Sequence, residues 1–222
     1  GTTPEERLEH EIEIVSVTLG PFAENAYFVV DKSTKDAIAI DPGDESDRLI
    51  EIVRRHDWNV RYILNTHAHI DHVGAVEALK NETGAPFYLH ETEQALLDQL
   101  PMQAAMFGLV TPPTPSVDGY LKEGDTFTFA DDKITVSVTE TPGHSPGGVT
   151  FRVGDVLIVG DTLFAGSIGR TDLPGGDHST LIRSIREKLL VFPDETVAYP
   201  GHGPETTIGQ ERRTNPFLTD SP

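Results

Sequence analysis

The chain has 222 residues, room for one domain with a substantial core, and sets 36 acidic against 17 basic side chains for a net charge of −19. That balance excludes a general nucleic-acid surface, which needs clustered Lys and Arg to release counterions, and it disfavours anionic membranes for the same reason. Cysteine is absent, so disulfides, thiolate metal ligands and cysteine nucleophiles are excluded as well.

At 37% hydrophobic and 24% charged residues, the composition is that of a folded chain rather than a disordered one. No apolar run approaches the roughly 18 residues that cross a bilayer, and no charged-then-apolar leader opens the chain. The first residue is Gly rather than Met, which leaves open a leader already removed. A cytoplasmic setting is expected, with a small-molecule partner, no nucleic acid or membrane, and a monomer or homodimer.

In chain order, residues 11–19 (EIEIVSVTL) alternate polar and apolar, which predicts a half-buried strand. Residues 26–30 and 37–40 are β-rich runs on either side of the turn-like 31–36, a hairpin. Asp41-Pro42-Gly43 ends that hairpin, and Ser46 or Asp47 is placed to cap a helix reaching about His56. Residues 60–64 predict a buried strand, followed by a histidine-rich loop, a helix over 74–82, a strand at 87–89 and a helix over 91–99. Residues 101–117 hold Met102, Met106, Phe107 and Leu109 before a proline-rich run, which suits either a pocket wall or an ordinary packed helix.

Further strands are predicted at 126–129, 134–139, 149–153 and 156–159, divided by Gly or Asp turns. Leu181, Ile182, Ile185 and Leu189 recur at helical spacing and predict an amphipathic helix over 181–190. A last strand at 196–199 is stopped by Pro200. Two mixed halves of similar size predict an α/β fold of two packed sheets with helices outside. We read 1–222 as a single domain whose core spans about 10–215.

The nine histidines are unevenly placed. His67, His69 and His72 fall with Asp71 within the six residues HAHIDH, directly after a predicted strand, where functional loops are held by a rigid scaffold. In an extended stretch His67, His69 and Asp71 point to one side, while His72 turns with the next helix, so the cluster can serve two adjacent centres. Three further candidates each end a predicted strand beside Gly or Pro: His144, Asp161 and His202. Such glycines let backbone approach a crowded site. His10, His56, His90 and His178 lack partners in sequence and read as structural or surface residues.

The H-x-H-x-D-H loop followed in order by His144, Asp161 and His202 resembles the metallo-β-lactamase superfamily, whose early Asp motif Asp41-Pro42-Gly43 also matches. Gly160-Asp161-Thr162-Leu163-Phe164, Gly169-Arg170-Thr171-Asp172, Pro200-Gly201-His202-Gly203-Pro204 and Asn215-Pro216-Phe217 look most like short bacterial hydrolases of the glyoxalase II type. The resemblance covers nearly the whole chain. It implies a four-layer αββα sandwich with two metals at one edge of the sheets. One metal is then held by His67, His69 and His144, a second by Asp71, His72 and His202, and Asp161 bridges them.

Imidazoles and carboxylates suit Zn²⁺, the metal expected here, and also Fe²⁺ or Mn²⁺. Two divalent cations, two carboxylates and a bridging hydroxide leave a small net positive charge, able to lower the pKa of water from about 15.7 to about 7. A hydroxide so formed attacks an activated carbonyl with no Ser or Cys nucleophile, and the expected substrate is an acyl thioester such as S-D-lactoylglutathione. Asp71 has the further task of orienting the hydroxide or taking its proton. Asp41, and with weaker claims Thr66 and Ser145, are expected to support liganding histidines. Phe164 is a candidate pocket residue.

Relatives within the superfamily are separated by other residues. Its commonest zinc β-lactamases place a cysteine near position 161, which argues against β-lactam hydrolysis here, and its nucleases carry extra domains or basic arms. Acyl-homoserine lactonases share the H-x-H-x-D-H loop, and persulfide dioxygenases, with a single Fe²⁺, share the Gly169–Asp172 stretch. A metal-binding protein without turnover is the non-enzymatic alternative. Full-length glyoxalase II enzymes hold glutathione with a C-terminal helical domain. This chain ends 20 residues after His202; Arg170, Arg212 and Arg213 read first as surface charges pairing with the many acids and, as the alternative, as cations for an anionic thiol.

Overall fold

The computed structural model describes residues 11–219, so the reading of His10 falls outside the described residues. The first half runs β1 (Ile12–Leu19), β2 (Glu24–Asp31), β3 (Asp36–Ile40), α1 (Ser46–His56), β4 (Asn59–Leu64), α2 (Ile70–Val73), α3 (Val76–Thr83), β5 (Phe87–His90), α4 (Gln94–Asp98), α5 (Leu100–Phe107) and β6 (Gly119–Leu121). The second runs β7 (Thr126–Phe129), β8 (Ile134–Glu140), β9 (Val149–Val153), β10 (Val156–Gly160), β11 (Leu163–Phe164), β12 (Ser167–Ile168), α6 (His178–Ser184), β13 (Val197–Pro200), β14 (Thr206–Thr207) and α7 (Ile208–Thr214).

Strands β1 to β6 form one six-stranded sheet in sequence order, antiparallel as far as β3 and parallel from β3 to β6. The other six-stranded sheet has the order β14-β13-β10-β9-β8-β7, with β10 and β13 its parallel pair. Side chains of a strand alternate between its faces, and this period sorts the core into three layers. Tyr27, Val29, Ile38 and Ile40 of the first sheet meet Phe127, Val136, Phe151 and Ile158 of the second. Phe28 and Ala39 face the other way, onto Leu49 and Val53 of α1 and Leu79 of α3. Leu157 and Val159 pack against Leu181, Ile185 and Ile208. The order is therefore helix, sheet, sheet, helix, as the sequence leads one to expect.

Several local readings are corrected. Neither Ser46 nor Asp47 caps α1: its N-cap is Glu45 in the left-handed region (φ 47°), whose side chain makes no capping bond. The helix expected over 74–82 runs Val76–Thr83, and the histidine loop before it holds a further short helix, Ile70–Val73. The amphipathic helix near 181 begins earlier, where the Asp177 carboxylate accepts from the Thr180 N–H, and finishes as a π turn over Ile185–Leu189. The short strands β6, β11, β12 and β14 are too brief to leave a periodic signal.

The topology fixes where the site lies. Ile40 pairs with Leu64 at the ends of parallel β3 and β4, so Asp41 and Thr66 leave the sheet side by side. Gly160 likewise pairs with Pro200, which sets Asp161 next to Gly201 and His202. The Val149 N–H donates to the Thr66 carbonyl at 2.9 Å, and the Asn25 N–H to the Gly201 carbonyl at 2.7 Å, joining the two sheets at that same edge.

Candidate metal centre

All seven predicted ligands meet at this edge. His67, His69 and His144 form one group of donors, and Asp71, His72, Asp161 and His202 a second. Asp161 faces both: its Oδ2 lies 3.2 Å from His72 Nε2 and 3.3 Å from His202 Nε2, and also 3.5 Å from His144 Nε2 and 3.8 Å from His67 Nε2. Asp71 is not on the side of His67 and His69 as an extended loop would put it. The chain turns helical at Ile70, which swings Asp71 toward His202, with Oδ2 at 3.0 Å from His202 Nε2.

Four of the five imidazoles have one ring nitrogen tied to an acceptor outside the cluster, which turns the other inward. His72 Nδ1 bonds Asp41 Oδ2 at 2.9 Å, His144 Nδ1 the Arg170 carbonyl at 2.8 Å, and His202 Nδ1 the Phe22 carbonyl at 3.0 Å. Thr66 Oγ1 donates its single proton to Asp41 Oδ2 at 2.6 Å and so accepts from His67 Nδ1 at 2.8 Å. The Thr66 N–H also reaches Asp41 Oδ1, at 2.7 Å. His69 differs, with Nδ1 itself turned inward, 3.0 Å from His144 Nε2. Gly201 makes room for this packing, since a Cβ there would sit 2.2 Å from Asp161 Oδ1 and 2.7 Å from His72 Cε1.

Burial, reinforced by His72, pushes the His67 pKa well below its usual value, and burial with His144 pushes His69 down to about 4. Burial also acts to lower His72, but Asp161 and Asp71 outweigh it and hold His72 well above the usual range. Burial acts to raise Asp161, yet His72 and His202 keep its carboxyl well below the carboxylate norm. Ionised carboxylates beside neutral His67 and His69 are states that metal ligands require. His72, by contrast, and His202, which Asp161 and Asp71 raise against burial to about 10, hold protons that a bound cation would displace.

Two buried atoms of the cluster, His67 Nε2 and Asp161 Oδ1, have no hydrogen-bond partner. An unpaired lone pair in a buried site is costly. A donor set of imidazole nitrogens and carboxylate oxygens fits divalent Zn²⁺, Fe²⁺ or Mn²⁺, so the residues present suit a metal centre.

The centre floors a cavity of about 410 Å³ walled by Phe22, Ile70, Phe107, Phe164, Ile168 and Leu173, with Arg170 at its margin. Phe22 and Phe107 meet edge to face across it, with ring centroids 5.4 Å apart. Phe164 lies edge-on to His202 at 6.2 Å. The Arg170 guanidinium is engaged by Asp172 through two bonds of 2.7 Å. Arg212 and Arg213 are not at the cavity and are paired with an acid, as the first reading of them expects: both pair with Asp194, and Arg212 also bonds the Leu190 and Phe192 carbonyls. Ser145 bonds Glu93 at 2.9 Å rather than a histidine. His56 stacks on Trp58, His90 bonds Glu140 at 3.1 Å, and His178 opens α6, all outside the cluster.

Sequence reasoning missed Phe22, Glu24, Glu93 and Gln103. Glu24 is buried beside the cluster, with Oε1 3.5 Å from His72 Nδ1. None of the four carries a motif, and what brings them to the site is contact between distant segments.

The family model of the metallo-beta-lactamase superfamily matches residues 19–202. The chain is 42% identical over 216 residues to the hydroxyacylglutathione hydrolase GloC of Haemophilus influenzae, covering 93% of this chain and 97% of that protein. BLEG-1, described as a B3 metallo-beta-lactamase, is 41% identical, with a TM-score of 0.87 over 93% of this chain and all (100%) of that one. TTHA1623 in a di-iron-bound form is 44% identical, with a TM-score of 0.82 over 92% and 100% of the two chains. The chain belongs to the metallo-beta-lactamase superfamily and has its fold. Superfamily and donor clusters together place it among the metal-dependent hydrolases.

Proposed function

We propose that this protein is a binuclear metal hydrolase cleaving acyl thioesters of the S-D-lactoylglutathione type. The observation that carries the reading is the meeting of two donor groups at Asp161 on the floor of an apolar cavity. The likeness to a hydroxyacylglutathione hydrolase supports the substrate class. In this reading His67, His69 and His144 hold one cation, Asp71, His72 and His202 hold another, and Asp161 faces both. Zinc is the metal we propose, and the di-iron form of a similar structure puts iron beside it.

Divalent cations in such a site polarise a carbonyl and lower the pKa of water from about 15.7 toward about 7. The rest of the chemistry falls to the chain's own residues. Asp41, Thr66 and the carbonyls of Phe22 and Arg170 hold four imidazoles in the liganding orientation. The apolar walls keep the acyl group out of bulk water and Phe164 borders it. Hydrolysis adds water across the C–S bond to give a carboxylic acid and a thiol. Asp71 Oδ2, on a side chain only 18% exposed and lining the cavity, takes the proton that water gives up and returns it to the departing sulfur. Arg170 lines the same cavity and is placed to meet a carboxylate of the thiol once released from Asp172.

A second reading, β-lactam hydrolysis, is favoured by the neighbour described as a B3 metallo-beta-lactamase: the missing cysteine does not set this chain far from every such enzyme. Thiol release from S-D-lactoylglutathione, by protein loaded in turn with Zn²⁺, Fe²⁺ and Mn²⁺, separates the two. A kcat/KM of about 10⁴–10⁸ M⁻¹s⁻¹ is expected. Negligible thiol release at full metal occupancy, with turnover of a cephalosporin, an acyl-homoserine lactone or a persulfide in the same panel, would overturn the thioester assignment.

A further inference from the structure

Glu93 is a carboxylate that the chemistry above does not use. It closes the short 3-10 turn Glu91–Glu93 and is fully buried. Its Oε1 accepts from the Ala68 N–H at 2.9 Å and from the Ser145 hydroxyl at 2.9 Å, and its Oε2 from the Gly147 N–H at 2.9 Å. Ala68 stands between His67 and His69, and Ser145 follows His144. One side chain thus holds both loops that carry the three-histidine group. Gly147 allows the approach, since a Cβ there would lie 3.0 Å from Glu93 Cγ.

Gln103 of α5 completes the hold on the first loop. Its Oε1 accepts from the Ile70 N–H at 2.8 Å, and its Nε2 donates to the Ala68 carbonyl at 3.3 Å and the Leu96 carbonyl at 2.8 Å. Ala68 is therefore fixed at both its N–H and its C=O by side chains of the 91–107 segment. The other donor group is reached by other residues. The Phe22 carbonyl bonds His202, while Asn65 and Asp41 touch both groups. Asn65 Nδ2 bonds the His72 carbonyl at 2.7 Å and the His67 carbonyl at 3.3 Å, and Asp41 bonds the His72 ring and, through Thr66, supports His67.

We propose that Glu93 is the positioning residue of the three-histidine half: its buried carboxylate joins the loop of His67 and His69 to the loop of His144 and so sets the spacing of the three imidazoles for a divalent cation. The inference rests on the binuclear reading and adds to it a division of the supporting residues, with Glu93 serving the three-histidine half, the Phe22 carbonyl the other, and Asp41 and Asn65 both. Ligand geometry has to be held within fractions of an ångström, and loss of residues that orient ligands weakens metal binding about 10–100-fold. An amide at 93 cannot replace the carboxylate, because its single oxygen serves one side and its NH₂ meets N–H donors on the other.

The test isolates each half. In an Asp71→Ala/His202→Ala double background the three histidines remain as the one complete group, and in a His67→Ala/His144→Ala double background the Asp71, His72, Asp161 and His202 group remains. Zn²⁺ affinity is read by competition with a chromophoric chelator, after wild-type protein has set the baseline. Glu93→Gln is expected to weaken Zn²⁺ about 10–100-fold in the first background and by less than about twofold in the second. Ser145→Ala, which removes one of the three bonds and keeps the carboxylate, should give a smaller loss confined to the same half, and it covers the case in which Glu93→Gln does not fold. Equal losses in both backgrounds, or none in the first, would overturn the positioning role while leaving the site intact. Wild-type protein that binds no Zn²⁺ would overturn the binuclear reading and this inference with it.

Discussion

At the scale of single residues, the centre is a problem of tautomers. A neutral imidazole offers one lone pair, and which nitrogen carries it depends on where the other finds an acceptor. Thr66 is the sharpest case: its one hydroxyl proton goes to Asp41, so its oxygen can only receive from His67, whose Nε2 is then left as a bare buried lone pair. Thr66→Val keeps the shape and removes this link. It is expected to weaken metal binding about 10–100-fold and to cost about 1–3 kcal/mol of stability, because His67 Nδ1 loses its acceptor in a buried place. Chelator competition and thermal melts read the two effects, and unchanged affinity would remove Thr66 from the site's support.

At the scale of elements, the site is built from strand ends. Parallel β3 and β4 release Asp41 and Thr66 together, and parallel β10 and β13 release Asp161 and His202 together. Helices outside the sheets mainly brace this frame, and α7 carries a charge that is structural rather than a substrate contact. Arg212 ties α7 to Asp194 and to the Leu190 and Phe192 carbonyls behind the second sheet. Arg212→Ala should therefore lower stability by about 1 kcal/mol, or about 2–4 °C in melting temperature for a chain of this size, because the pair is partly exposed. Its kcat/KM should stay at the wild-type value. A large rise in KM without a change in melting temperature would return Arg212 to substrate binding.

At the scale of the whole molecule, two kinds of information separate. The donor cluster was legible because three histidines and an aspartate fall within six residues, and because the distal donors stand beside Gly or Pro at strand ends. Alternating strands and the stripe of Leu181, Ile185 and Leu189 made the layers legible for the same reason, a local period. What stayed hidden is carried by separation in sequence: the Phe22 carbonyl meets a histidine 180 residues away, and Glu93 meets Ala68 and Ser145 across 25 and 52 residues. The direction of Asp71 was misjudged because an extended loop and a helical turn place the same residue on different sides, and the turn begins one residue before it. The net charge of −19 stands apart from all this: among the described residues lining the cavity, Arg170 is the one Lys or Arg, and it is held by Asp172.

In the proposed centre Asp161 is the shared residue, its Oδ2 facing histidines of both donor groups. Cations bound per chain and thiol release from S-D-lactoylglutathione, measured on the same samples of wild type and Asp161→Ala as Zn²⁺ is added, test that dependence directly. Wild type should take up two cations, with the rate rising as the second binds. Asp161→Ala should bind both more weakly and lose at least about a hundredfold in rate, beyond the usual loss for a residue that only orients a ligand. An Asp161→Ala variant that keeps two cations and the full rate would contradict a shared binuclear centre.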